Sequence, residues 1–249
     1  MYMEYWLTSP GDHLDFGFGI TAETYYNSAK YMDEGRHKIQ AFQLIEMPIN
    51  FLYRHSIELA LKSLIIIFHK KLSIPYENDS CESTKPKILS QGKWRPLYSC
   101  HWIDELYRYW KDDLLLKNIT RLESLANKGD WKEYEDITKA IPIIAKYDKQ
   151  SSFFRYPVTE NPNLDLEKFT MKEVDIETLR KIFEQQESMK EKESGGNVIL
   201  AIKNDNNEII KAYRQQKELL TELSDSLKKV AHYFYCIHIM TRIELCKGK

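Results

Sequence analysis

The sequence predicts an all-α protein, a helical bundle whose helices are joined by long loops. Only 9 Gly and 8 Pro interrupt 249 residues, and Leu, Ile, Lys and Glu recur at helical spacing over long stretches. No segment shows a strand pattern that competes with this one. Because 43% of the residues are apolar, the chain can bury a sizeable core. We therefore expect one domain over residues 1–249, with its core between about 20 and 245.

Two helices are predicted in the first third of the chain. Thr21 is a typical N-cap residue, and Gly35 is placed to end the first helix. A second, longer helix is predicted from about Gln40 to Leu72. Pro48 should kink it or separate a short first part, because proline removes a backbone donor and clashes one turn back.

The middle of the chain predicts a long loop followed by two helices. Residues 73 to 100 are polar, contain three prolines and lack periodicity, which is typical of a long and often functional loop. A third helix begins in "HWIDELYRYW". A fourth is predicted over residues 122–147, with breaks at Gly129 and Pro142.

The last third predicts a second loop and two further helices. The loop "DKQSSFFRYPVTENPNLD" has adjacent aromatic residues around Arg155, with Asp148 as a nearby counter-charge. Helices are then expected from about 175 to 193 and from about 206 to 245, with "SGGN" as the turn between them. The fold expectation is therefore helical throughout.

Composition narrows the classes of function. Lys and Arg total 36 against 37 Asp and Glu, so the whole molecule offers nucleic acid no strong attraction and any partner must be recognised locally. The four cysteines form no CxxC pair, which favours free thiols in a reducing compartment. The first residues lack the pattern of a signal peptide. We expect a cytoplasmic protein with no membrane segment.

Motifs for the common cofactors and metals are missing from the sequence. It contains no G-x-x-x-x-G-K-[ST], G-x-G-x-x-G, H-E-x-x-H or G-x-S-x-G. His232 and His238 lie about 240° apart around a helix, so they cannot form a metal pair on one face. We expect no cofactor and no metal.

Charged residues interrupt the otherwise apolar second helix in "FLYRHSIELALKSLIIIF", residues 51–68. At about 100° per residue, the charged side chains and histidines fall in one arc roughly 100° wide. A buried carboxylate costs several kcal/mol unless it is paired, and the cations one turn to either side are its nearest partners. This stripe consists of Arg54, His55, Glu58, Lys62 and His69.

Two interpretations of the stripe remain open. It is either a polar seam that satisfies charges inside the bundle or at a subunit interface, or a cleft that binds an anion such as RNA phosphate. Arginine can hold a phosphate bidentately, and histidine can move a proton near neutral pH, so these residue types suit cleavage of RNA without metal.

Three segments resemble the HEPN superfamily of bacterial helical-bundle proteins found in toxin and phage-defence systems. They are "FLYRHSIELALKSLI", the histidine-led "CHWIDELYRYW", and "SSFFRYP". The resemblance implies a HEPN-like bundle that dimerises and, in active members, metal-independent RNA cleavage at a site shared by two protomers. The family hallmark is Arg, four to six residues, then His near the start of a late helix. Here Arg95 and His101 have that spacing, but they precede a middle helix.

The resemblance and the residue chemistry together assign roles to candidate site residues. His55 or His101 would supply the base and the acid, and Arg54 or Arg155 would stabilise the phosphorane. Residues assigned to substrate binding or site organisation are Glu58, Lys62, Tyr156 and Arg95. We expect one polar cleft beside a homodimer interface, with RNA and a protein from a neighbouring gene as partners. The residues expected around this cleft are Arg54, His55, Glu58, Lys62, His101 and Arg155. The alternative is a catalytically inactive partner or scaffold subunit of a defence complex.

Overall fold

The computed structural model describes residues 7–39, 44–126, 130–175, 177–179, 181, 199–215 and 220–247. Its α-helices are α1 (Phe18–Glu34), α2 (Glu46–Lys71), α3 (Ile103–Arg108), α4 (Ile119–Leu125), α5 (Glu135–Asp148), the single turn α6 (Pro162–Asp165) and α7 (Thr221–Cys246). Its strands are β1 (Lys87–Ser90), β2 (Lys93–Pro96), β3 (Met171–Val174), β4 (Ile199–Lys203) and β5 (Ile209–Gln215). A π-helical segment, Tyr109–Leu115, continues α3.

Helix α2 is the centre of the core. Every residue from Ser56 to His69 is buried, because α1 and α7 pack along it and α3 contacts a further side. Its apolar side chains join one cluster with those of the neighbouring helices, including Trp110 and Phe234. A helix surrounded in this way must satisfy each of its charged side chains inside the protein.

The helix boundaries differ in detail from those expected. Helix α1 begins three residues before Thr21, with Gly17 as its N-cap, and Gly35 ends it as predicted. Pro48 lies in the first turn of α2, where a missing N–H costs no helical hydrogen bond, so it neither kinks nor splits the helix. Pro142 lies inside α5, which continues through it.

The prediction of an all-α fold is wrong, because the described residues contain two antiparallel sheets. The first is a hairpin of β1 and β2 inside the segment expected to be a loop, with Ser90 paired to Lys93. Gln91 and Gly92 both have positive φ, at 51° and 73°. Two such residues form the turn that matches the twist of paired strands, so this short turn closes a hairpin that three nearby prolines obscured.

The second sheet has the strand order β3-β5-β4. Its central strand, β5, occupies residues 209–215, which were expected to be near the beginning of the last helix. Helix α7 begins only at Thr221. The turn between β4 and β5 is organised by Asn204, whose side-chain oxygen accepts hydrogen bonds from the backbone N–H groups of Asn206 and Glu208 at 3.0 and 2.9 Å. Such Asx turns compete with helix, and the strands on either side are rich in Ile.

Part of the predicted structure lies outside the described residues. The expected helix over 175–193 is described only at 175, 177–179 and 181, of which 177–179 and 181 are helical. Gly129, the "SGGN" turn and Gln40 are also outside them.

Candidate functional site

Helix α2 places three ionisable side chains one turn apart on one face. The Arg54 Nη1 donates to Glu58 Oε2, and Lys62 Nζ lies 2.9 Å from Glu58 Oε1. The prediction that Glu58 pairs with both cations is confirmed. All three side chains are at most 3% exposed, so they form a buried ion network and do not line an open cleft.

A second carboxylate completes the charge balance. The Arg54 Nε lies 3.2 Å from Asp148 Oδ2, at the end of α5. Asp148 also accepts a hydrogen bond from the backbone N–H of Phe153 at 2.9 Å. The sequence had suggested Asp148 as a counter-charge for Arg155, but it pairs with Arg54 instead. Two carboxylates therefore face two cations, as a buried network requires.

The pKa of Glu58 reflects this pairing. Burial alone would raise the pKa of this carboxyl, but Arg54 and Lys62 stabilise its charged form and lower the pKa to about 2. Glu58 is therefore ionised at any pH near neutrality.

His101 connects this buried network to the surface. Its Nδ1 lies 2.9 Å from Glu58 Oε1, while its side chain is 43% exposed. Its backbone carbonyl accepts a hydrogen bond from Arg54 Nη2. His101 lies two residues before α3, whose N-cap is Trp102. We call Arg54, Glu58, Lys62, Asp148 and His101 the Glu58 cluster.

His55 is half-buried and lies outside the ion pairs. Its ring stacks on Phe51 at 5.6 Å and meets Tyr25 edge-on at 4.7 Å. Burial is the largest cause of its lowered pKa, so the ring is held neutral at neutral pH. Its buried Nδ1 has no hydrogen-bond partner within the described residues.

The remaining candidates lie on loops and strands around the cluster. Arg155 is exposed, with its guanidinium 5.8 Å from the Phe51 ring, and Tyr156 is also exposed. Arg95 is on β2, 5.3 Å from the ring of Trp102, the residue after His101. The structure thus joins Glu58 directly to Arg54, Lys62 and His101. Arg155 instead lies over Phe51, which stacks on His55, and Arg95 lies over Trp102.

Two further buried residues have structural roles. His69, a member of the predicted stripe, is buried between Tyr76 and Tyr109, with Nε2 2.9 Å from the Tyr109 hydroxyl. Burial lowers its pKa to about 4, so it packs as a neutral ring. Asp148, which the sequence suggested only as a counter-charge for Arg155, is held by Arg54, and no local pattern in the sequence predicts that pairing.

Sequence reasoning missed a second buried ion cluster. Asp15 accepts hydrogen bonds from the backbone N–H groups of Gly17 and Gly19 and from the Ser63 hydroxyl. His238 lies 3.8 Å from Asp15 and 3.3 Å from Glu23, and Arg242 lies 3.6 Å from Asp15. We call Asp15, Glu23, Ser63, His238 and Arg242 the Asp15 cluster. Its side chains are at most 4% exposed where they form ion pairs, so it is closed to solvent.

The described part of the chain shows neither a metal cluster nor a membrane-spanning helix. There, no three His, Cys, Asp or Glu side chains converge as a metal site would require. No helix in that part combines the length and apolar character needed to cross a membrane.

Comparison with known proteins does not identify a function for this chain. No protein-family model, curated protein or solved structure matches this chain.

Proposed function

We propose that this chain is a HEPN-like effector of a bacterial toxin or phage-defence system that cleaves RNA without a metal. In this proposal His101 is the general acid-base. The observation that carries it is the contact between a buried, ionised carboxylate, Glu58, and the Nδ1 of a half-exposed imidazole, His101.

The chemistry of this pair suits proton transfer. Because the Glu58 carboxylate can only accept a hydrogen bond, it favours the His101 tautomer that carries its proton on Nδ1. Nε2 is then free to take the proton of a ribose 2′-hydroxyl as that oxygen attacks phosphorus. An imidazolium formed in this step is stabilised by Glu58, and it can return a proton to the leaving 5′-oxygen.

Arg54 and Lys62 act as positioning residues in this proposal. Both are buried and bound to Glu58, so neither can reach a phosphate without breaking an ion pair. Arg54 also fixes the backbone of His101, which places the imidazole relative to α2. The role of stabilising the phosphorane, predicted for Arg54 or Arg155, is therefore given to Arg95 and Arg155.

Two arginines could bind the phosphate. Arg95 has the hallmark spacing to His101, and its guanidinium lies over Trp102. Arg155 is exposed beside Phe51, and the residue that follows it, Tyr156, is also exposed. The proposal also includes a homodimer, in which a second protomer would bring further groups to the same surface.

The test is cleavage of RNA by purified protein. Total tRNA and mRNA are incubated with the wild type, with His101→Ala and with the control His37→Ala, all in EDTA. Loss of a general acid-base reduces the rate by about 10²- to 10⁴-fold, so His101→Ala should be inactive while His37→Ala, which removes an exposed imidazole outside the cluster, cleaves normally. Absence of cleavage and binding under every condition, including with the product of a neighbouring gene, contradicts the proposal.

The second candidate is a non-catalytic partner or scaffold subunit of a defence complex. It is favoured by the burial of Arg54, Glu58 and Lys62, since a fully paired network needs no substrate to explain it. In that case expression does not slow bacterial growth, and His55→Ala changes complex formation more than any RNA profile. A growth arrest that His101→Ala relieves decides in favour of the enzyme.

A further inference from the structure

Helix α7 carries a cysteine and a histidine one turn apart that belong to neither ion cluster. His232 and Cys236 are both exposed, and the Cys236 Sγ lies 3.7 Å from the His232 Nε2. The other ring nitrogen, Nδ1, lies 2.9 Å from the hydroxyl oxygen of Tyr26 on α1. With Nδ1–H donating to Tyr26, the lone pair of Nε2 is directed toward the same space as the thiol.

The spacing of these two atoms matches that of two ligands on one metal ion. For zinc–sulfur and zinc–nitrogen bonds of about 2.3 and 2.05 Å at a tetrahedral angle, the sulfur and nitrogen are about 3.6 Å apart. The observed separation differs from this value by only about a tenth of an ångström. Histidines that bind metals commonly engage their second nitrogen in a hydrogen bond, as His232 does with Tyr26.

The surroundings of the pair are open to solvent. His232 and Cys236 line a surface depression of about 550 Å³ together with residues of α5. Glu135 and Asp136 contribute two carboxylates, while Lys229 contributes one cation that lies 3.2 Å from Asp136. Glu135 also pairs with Lys139 at 2.6 Å, so the two carboxylates are balanced by two lysines and the lining carries no net positive charge that would repel a divalent cation.

We propose that His232 and Cys236 are half of a zinc site, and that the same pair from a second copy of the chain completes it. Structural zinc sites have four protein ligands in a tetrahedron, and Cys₂His₂ is one of their common sets. One chain provides only two of the four, since no group of three or more ligating side chains converges within the described residues. A two-fold axis through the metal supplies an identical pair.

Zinc binding at this site can be written as a balanced step. The Cys236 thiol releases its proton to solvent as the S–Zn bond forms, and His232 contributes the lone pair of Nε2. No oxidant or reductant is needed. The inference is independent of the proposed RNA cleavage, which requires no metal and uses His101.

The experiment titrates the full chain, purified and treated with EDTA, with zinc chloride. After gel filtration we expect one zinc per two chains, in a dimer whose metal EDTA removes. Cobalt chloride should give the thiolate charge-transfer band and the strong visible bands of tetrahedral cobalt. Cys236→Ser and His232→Ala should each abolish stoichiometric binding, and Tyr26→Phe should weaken it about 10-fold through the lost hydrogen bond.

A matched control and a second readout keep the test decisive. Cys81→Ser removes another thiol that is partly exposed, and it should bind zinc like the wild type. If the chain is already a dimer without metal, the stoichiometry and the cobalt spectrum decide the question. The proposal is overturned if no zinc binds, if one zinc binds per monomer, or if the Cys236 and His232 variants bind like the wild type.

Discussion

The two buried ion clusters have similar contents but differ in their access to water. Each contains two carboxylates, and each satisfies them with cations and hydrogen-bond donors from several elements of the fold. The Glu58 cluster ends in His101, whose side chain is 43% exposed, whereas the histidine of the Asp15 cluster is 1% exposed. The comparison teaches that buried ion pairs are sufficient to hold a helix in the core. What makes the Glu58 cluster the candidate site is the histidine that reaches the surface.

The largest expected effect comes from removing the central carboxylate of the Glu58 cluster. Glu58→Leu leaves Arg54 and Lys62 buried with only Asp148 to balance them, and breaking a buried ion pair in this way costs about 3–5 kcal/mol. Urea denaturation measures the free energy of unfolding. The control Glu135→Leu removes a carboxylate from an exposed pair with Lys139, and it should change stability by less than about 1 kcal/mol. Equal effects of the two substitutions would mean that the Glu58 cluster is not structural.

A smaller loss is expected for Asp15→Asn in the closed cluster. Asparagine keeps the size of the side chain and one oxygen acceptor, but it leaves polar partners unsatisfied, at about 1–3 kcal/mol. The RNA cleavage that we propose should be unchanged per folded molecule, because this cluster is buried away from the surface. A variant that folds fully and loses cleavage would show that the two clusters are coupled, and would remove the distinction between them.

Tight packing around the closed cluster predicts a further, comparable or smaller effect. A Cβ at Gly19 would overlap His238 Nε2 and lie 2.6 Å from Asp15 Oδ2. Gly19→Ala should therefore destabilise the protein by about 1–3 kcal/mol as these groups shift. Gly11→Ala is the control, because its nearest non-neighbouring atom is 3.8 Å from the added carbon. Thermal denaturation of the pair compares them directly, and an unaffected Gly19→Ala would mean that this region is loosely packed.

The smallest expected effect is a dependence of stability on pH that comes from His238. Burial opposes its charge, but attraction to the carboxyl groups of Asp15 and Glu23, 3.8 and 3.3 Å away, outweighs that cost and raises its pKa above the ordinary value of 6.5. The protonated ring therefore stabilises the fold fully below that value, and this contribution is lost as the pH rises through the raised pKa. Arg242 also faces Asp15, with its Nη2 3.6 Å from Asp15 Oδ1.

Comparison of the wild type with His238→Gln isolates this effect. Denaturant titrations at several pH values above 6.5 should show a decline in the stability of the wild type that the variant lacks. Subtracting the free energy of unfolding of the variant from that of the wild type also removes the contributions of His55 and His69, which both proteins share. Because the pKa values of these two histidines are lowered, they make stability fall as the pH becomes acid, which is the opposite sign. Parallel curves for the two proteins would contradict the assignment.

The sequence alone was sufficient to predict contacts between neighbouring side chains on one helix. Arg54, Glu58 and Lys62 follow a four-residue spacing, so their pairing could be predicted from helical geometry alone. Asp148 and Asp15 could not be assigned, because their partners lie far away in the chain and depend on how α5 and the first residues pack against α2. Local periodicity identifies a buried charge, while the tertiary fold decides which groups balance it.

The strands were missed for two different reasons. In β1 and β2 the turn residues Gln91 and Gly92 are a less common pair than Asn-Gly, and they lie among prolines that predict a loop. In β5 the sequence "IIKAYRQ" is short and adjoins a strongly helical segment, so its apolar run was assigned to a longer helix. Hydrogen bonding to β3 and β4 stabilises the extended conformation of β5. Such pairing between distant segments cannot be predicted from the periodicity of one segment.

Two hydrogen bonds hold His101, and they lower the entropy that its ring can lose when a ligand binds. Arg54 holds the carbonyl of this residue while Glu58 holds its imidazole, so both the backbone and the rotamer are fixed before a substrate arrives. An exposed side chain that must be ordered on binding costs about 0.5–1.5 kcal/mol. His101 has already lost that freedom during folding, so its ring is preorganised for whatever ligand the surface receives.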